Sequence, residues 1–271
     1  MIHGGVKQME IAVPGFKFLE RDLRDRRSHC VHSNKDSSRH AKIEGMRLFM
    51  LVLTMAAAVA SISPLQQARD RQDRGTLERF VATRAATAKA HPNDADAQYQ
   101  LALAHSYLAE VAIELHDKQR AFDAAEAGIE VAEHAVELQP NSAEYNRILG
   151  TLCGQSISSA GLAGLRHGKC ALDSVDKAIK LDPKSSDARL SHGVGMYYLP
   201  AAFGGGVDQA IQDFRKAIAL NANSAEAWLW LGIALRKSNH NAEAHRALEK
   251  AVQLDPDRVW ARQQLAKTPA R

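Results

Sequence analysis

The chain has 271 residues, 45% of them hydrophobic but only 6% aromatic, with 35 Lys+Arg against 31 Asp+Glu and three cysteines. Its surplus of +4 belongs to the leader: residues 1–60 hold 10 Lys+Arg and 6 Asp+Glu, which leaves 25 of each in residues 61–271. The body is neutral, so the basic composition does not mark a nucleic-acid footprint, and no nucleic-acid partner is expected.

Residues 1–45 carry no sustained apolar period, and the stretch FLERDLRDRRSHCVHSNKDSSRH is polar enough to stay disordered. Met46 to Ala60 then gives a basic start, an apolar core of about a dozen residues and the small pair Ala58 and Ala60 before Ser61. That order is the signature of a secretory signal peptide. The apolar core falls short of the roughly 20 residues a bilayer span takes, and no cysteine follows Ala60 to carry a lipid. The other reading is an apolar helix docked on the body. If the signal is real, translation is expected to start at Met46, residues 1–45 are an upstream extension, and the product is exported, periplasmic or secreted, with no membrane span after processing.

Residues 61–75, of which 64–75 are PLQQARDRQDRG, read as a mobile linker. A helix from Thr76 to Ala90, with Leu77, Phe80, Val81 and Ala85, follows as an N-terminal cap. From Pro92 onward the text repeats. Four stretches begin after Pro92, Pro140, Pro183 and Ala222, and each reads as two amphipathic helices closed by Leu-x-Pro or its variant Leu220-Asn221-Ala222. Arg258 to Lys267, with Val259, Trp260 and Leu265, reads as a C-terminal cap, and residues 268–271 as a tail. β-branched alternation is nearly absent, so an all-α fold is expected.

The last unit is the most regular, with Trp228, Leu231, Gly232, Ala244, Leu248, Ala251 and Pro256 over 34 residues. It resembles a tetratricopeptide repeat, in which small residues let two helices approach and the proline ends the second. The resemblance covers about residues 76–267. It implies a right-handed superhelix of antiparallel helix pairs, about four of them with capping helices. Closing positions lie 48, 43, 39 and 34 residues apart. The excess over 34 therefore falls along the chain; the first pair should be longer by roughly two turns per helix, and the stack should taper.

Catalytic and ligand motifs are weak. Gly204-Gly205-Gly206 and the Gly164-to-Cys170 stretch both miss the spacing of a phosphate loop. In MYYLPAAFGGGVDQAI, Pro200 is expected to stop one helix, the glycines to reverse the chain and Asp208 to cap the next. Histidines are scattered, and His240 and His245 are five apart rather than four. No metal, cofactor or catalytic residue is assigned, and an enzyme is not expected. Cys153 and Cys170 sit on the two helices of one unit, where antiparallel packing could level them. They are either a disulfide, as export permits, or two small residues at a tight helix contact.

In tetratricopeptide repeats the first helix of each unit lines a concave groove. The positions two, five and nine residues into that helix are Asp96, Tyr99 and Leu103; Glu144, Arg147 and Thr151; Asp187, Leu190 and Val194; and Glu226, Leu229 and Ile233. Tyr107, Tyr197, Tyr198 and Trp230 adjoin them. The resemblance thus implies a protein-interaction scaffold of the bacterial periplasm or envelope, with an apolar and aromatic groove rimmed by acids that takes a protein or peptide partner. The alternative is an auxiliary of a transport system that encloses a small apolar ligand.

Overall fold

A computed structural model describes residues 63–159 and 163–270. The expected signal and upstream extension lie outside the described residues. Among the described residues the chain is helical: α1 (Pro64–Asp70), α2 (Arg74–Ala90), α3 (Ala95–Glu114), α4 (Lys118–Leu138), α5 (Ala143–Ser159), α6 (Ala163–Leu181), α7 (Ser186–Tyr198), α8 (Val207–Leu220), α9 (Ala225–Lys237), α10 (Asn241–Leu254) and α11 (Val259–Ala266). A single 3-10 turn, Ala201–Phe203, interrupts them.

Helix starts are written in the sequence. Ser63, Asp73, Asp94, Asp117, Ser185 and Ser224 each accept a hydrogen bond from a backbone N–H of the first turn, which satisfies donors that would otherwise be orphaned. One expected cap differs. Gly206 occupies the capping position before α8 and offers no side-chain bond, and Asp208 lies inside the first turn. Gly206 has φ 117° and Gly204 φ 85°, a backbone that a residue with a Cβ avoids, so conformation rather than capping sets that start.

The helices pair as α3/α4, α5/α6, α7/α8 and α9/α10, and successive first helices α3, α5, α7 and α9 also touch one another. The first pair has 20 and 21 residues, the second 17 and 19, the last two 13 and 14. The excess in the first two units is therefore helix, and the five extra residues of the third lie in the Pro200–Gly206 connection. Inside each pair a glycine allows close approach. A Cβ on Gly193 would stand 2.6 Å from the Phe214 ring, and one on Gly232 2.5 Å from Leu248.

The expected linker is a correction. Residues 64–70 form α1, and the turn after it is the one used inside the repeats. Gln72, His116 and Asn239 all have positive φ, and the next N–H reaches back five residues in each case, Asp73 to Ala68, Asp117 to Ala112 and His240 to Leu235, at 2.8–2.9 Å. This is the helix-ending pattern with a left-handed residue. α1 and α2 are thus a shortened helix pair at the head of the array. Leu65, Ala68 and Leu77 sit in one core with Leu108, Val111 and Ala125. The sequence signal is weak because α1 is seven residues long and two of its buried residues are Arg69 and Asp70.

Candidate interaction surface

The first helices share an inner face, and on it the two ends of the array meet. Glu110 and Glu114 come from α3, Glu226 from α9, Arg69 and Asp70 from α1, and Arg258 from the residue before α11. Arg258, 1% exposed, donates to Glu226 Oε1 at 2.6 Å, to Glu110 Oε1 at 2.7 Å and to both oxygens of Glu114. Residues 144 positions apart are thereby joined. Gln72 donates to Glu114 Oε2 at 2.8 Å, and outside this cluster Arg71 pairs with Asp257 at 2.8 Å. Arg69 lies 5.0 Å above the Tyr107 ring, 3.2 Å from Glu226 and 3.8 Å from Glu110.

Four carboxylates thus face two guanidinium groups in a largely buried space, with Asp70 and Glu114 almost fully covered and Glu110 and Glu226 partly so. Burial pushes Glu110 up to about 7, against the pull of Arg69 and Arg258, and pushes Asp70 up to about 6, against Arg69. At Glu226 burial also opposes charge, but Arg258 and Arg69 outweigh it and hold the carboxyl below its usual range. An excess of buried negative charge is relieved by taking up protons.

The remaining expected groove residues divide. Tyr99 donates to Glu144 Oε1 at 2.9 Å and stacks on Tyr145 with centroids 4.9 Å apart. Arg147 holds the same carboxylate at 2.6 and 2.7 Å, and Thr151 reaches Ser191. Asp96 and Asp187 are exposed, and Leu103, Leu190, Val194 and Tyr197 are half-buried. Tyr197 lies 5.8 Å from Trp230 and under Lys237. Leu229 and Ile233 are corrections. They are 0% and 6% exposed and pack with Leu248, Ala251 and Ala261, because α11 covers α9 and turns its inner positions into core.

Sequence reasoning misses Arg69, Asp70, Glu110, Glu114 and Arg258. Tyr99, Leu103, Tyr107, Glu110 and Glu114 follow helical spacing along one face of α3, so extending that stripe would have found the two glutamates.

Away from this face, Cys153 and Cys170 are joined as a disulfide between α5 and α6, with Cα atoms 6.1 Å apart. His105 is pushed down to about 4, by burial first and then by Arg120.

Residues 64–202 match the family described as regulator of microtubule dynamics protein 1-3. The chain belongs to that family. Residues 204–239 and 225–258 match tetratricopeptide repeat patterns, so this family member is built as a tetratricopeptide-type array. Over 117 residues it is 30% identical to protein O-mannosyl-transferase TMTC1 of Homo sapiens, a match that covers 42% of this chain. The chain spans 13% of the length of that curated relative. Among solved structures it is similar to TTC0263, a thermophilic TPR protein of Thermus thermophilus, at 19% identity and a TM-score of 0.52, over 74% of this chain and 97% of that one. That likeness supports the fold.

Proposed function

We propose that the chain is a non-catalytic scaffold that binds a protein or peptide partner on the inner face of its repeat array. The observation that carries the reading is that this face seats α1, the short first helix of the head pair, through an arginine stacked on Tyr107 beside Glu226. Its reactive side chains are committed to one another, Glu144 to Tyr99 and Arg147, Arg258 to three glutamates, an arrangement that recognises and positions rather than turning over a substrate. Two open surface depressions are bordered by charged and amide side chains, one by Asn239, His240, Glu243 and Arg246, another by Arg84, Asp94, Asp96 and Gln100, and neither is an enclosed apolar cavity. That favours a protein over the alternative of a small apolar ligand.

The scaffold works after export, in the bacterial periplasm or envelope. Support comes from the signal-like stretch Met46 to Ala60 and from the Cys153–Cys170 disulfide, a bond that persists in oxidising compartments. The family's description names microtubule dynamics, so polymerised tubulin is the first defined partner to test against envelope proteins.

A benzophenone amino acid in place of Asp96 or Asp187, on the inner face, or of Gln119 or Glu249, on the second helices, separates the readings. Inner positions should capture the partner and outer positions should not. Capture from the outer helices alone would overturn the assignment, and capture of tubulin with none from envelope extract would overturn the location.

A further inference from the structure

The seat of α1 is electrostatically unfinished. Arg69 is 6% exposed, yet both of its hydrogen bonds go to Asp70, its neighbour on the same helix, at 2.8 and 2.5 Å. Asp70 is 1% exposed; its Oδ1 faces Arg69 and Arg258, and its Oδ2 is buried with no partner. Asp70 therefore offsets the charge that Arg69 brings, and Asp70, Glu110, Glu114 and Glu226 together face Arg69 and Arg258, two negative charges in excess when all are ionised. A segment that brought the arginine without the following carboxylate would halve that excess, and a second basic residue would remove it. Buried guanidinium–carboxylate pairs gain most when no charge is left over.

We infer that the inner face is a receptor for an arginine-bearing helical segment of a partner protein, with α1 as its imperfect internal stand-in, displaced by a segment carrying more positive charge. The Arg69 position defines the slot: Tyr107 beneath the guanidinium, Glu110 and Glu226 at its sides. The inference rests on the reading of this face as the partner surface and adds the partner's chemistry.

Three fluorescent peptides spanning residues 63–72 test it on the full chain by anisotropy: the natural sequence, Asp70→Asn and Arg69→Ala. The Asp70→Asn peptide should bind about tenfold tighter than the natural one and the Arg69→Ala peptide about tenfold weaker. Binding should speed amide exchange in the chain's own residues 64–72 as α1 leaves. An Arg69→Ala chain, with its stand-in weakened, should bind the Asp70→Asn peptide more tightly than the unaltered chain does. A Glu226→Gln chain should bind it more weakly, and because the peptide series needs no altered chain, misfolding of that variant leaves the test standing. Equal affinity for the three peptides, binding without faster exchange in α1, or no binding by any peptide to either the unaltered or the Arg69→Ala chain would overturn the inference. Those failures leave inner-face cross-linking of a partner untouched, whereas failure of the broader reading appears as capture from the outer helices.

Discussion

Replacing Arg258 with Met removes one guanidinium and keeps most of the volume of its stem. Glu114 loses its bidentate partner, Glu110 its closest donor and Glu226 its 2.6 Å contact. Four carboxylates then share the single guanidinium of Arg69. Removing one partner of a buried ion pair costs about 3–5 kcal/mol, because the remaining charge is left uncompensated. The cost must depend on pH. Once the stranded carboxylates take up protons there is little charge left to penalise, so the loss near pH 5 should be well under that near pH 7.5. Urea unfolding of both chains at the two values, followed by circular dichroism, gives the comparison. A loss below about 1 kcal/mol at pH 7.5, or an equal loss at both values, would refute the claim that an ion network closes the array.

In the unaltered chain Glu110 near 7 and Asp70 near 6 lie above their unfolded values. The folded state therefore holds protons that the unfolded state releases, and these groups stabilise at low pH and lose that contribution as pH rises through 6 and 7. His105, pushed down to about 4, acts in the opposite sense, its contribution lost as pH falls below about 6.5. Glu110→Gln should thus flatten or reverse the gain in melting temperature between pH 7.5 and 6; an unchanged slope would assign the effect elsewhere. Reduction of the Cys153–Cys170 bond, which closes 17 positions, should cost about 3 kcal/mol, read as a lower midpoint of thermal unfolding with reductant than without. Gly193→Ala puts a methyl 2.6 Å from the buried Phe214 ring and should cost about 1–3 kcal/mol through overpacking, measured by urea midpoint against a Gly154→Ala control, where a Cβ meets open space. Sequencing of exported protein should begin at or near Ser61, and peptides from residues 1–45 in that fraction would contradict the processing proposal.

The repeat geometry is legible because it is local. Closing prolines and their spacing count residues per unit, and the greater length of α3 and α4 follows from that count and from the helical composition of the insert. The tight turns at His116 and Asn239 are not legible, since a left-handed residue leaves no composition signal when it is not glycine. α1 reads as linker because it offers only Leu65 and Ala68 to the core. The ion network is invisible for a different reason: Arg258 finds Glu114 across 144 residues, and no sequence period encodes a contact made by closure of the array. Leu229 shows where transferred positions fail. Its place in the repeat is a groove position, but α11 packs over it, so a terminal helix converts surface to core.

A partner segment on the inner face must take the place of α1. Arg71 and Asp257, paired at 2.8 Å with side chains 59% and 58% exposed, flank that helix and offer a lock. With Arg71→Cys and Asp257→Cys in a Cys30→Ser background, a short bismaleimide fixes α1 against the start of α11. The bridged chain should lose binding of the Asp70→Asn peptide and cross-linking through Asp187, while the unbridged chain keeps both. Undiminished binding and cross-linking by the bridged chain would contradict the account.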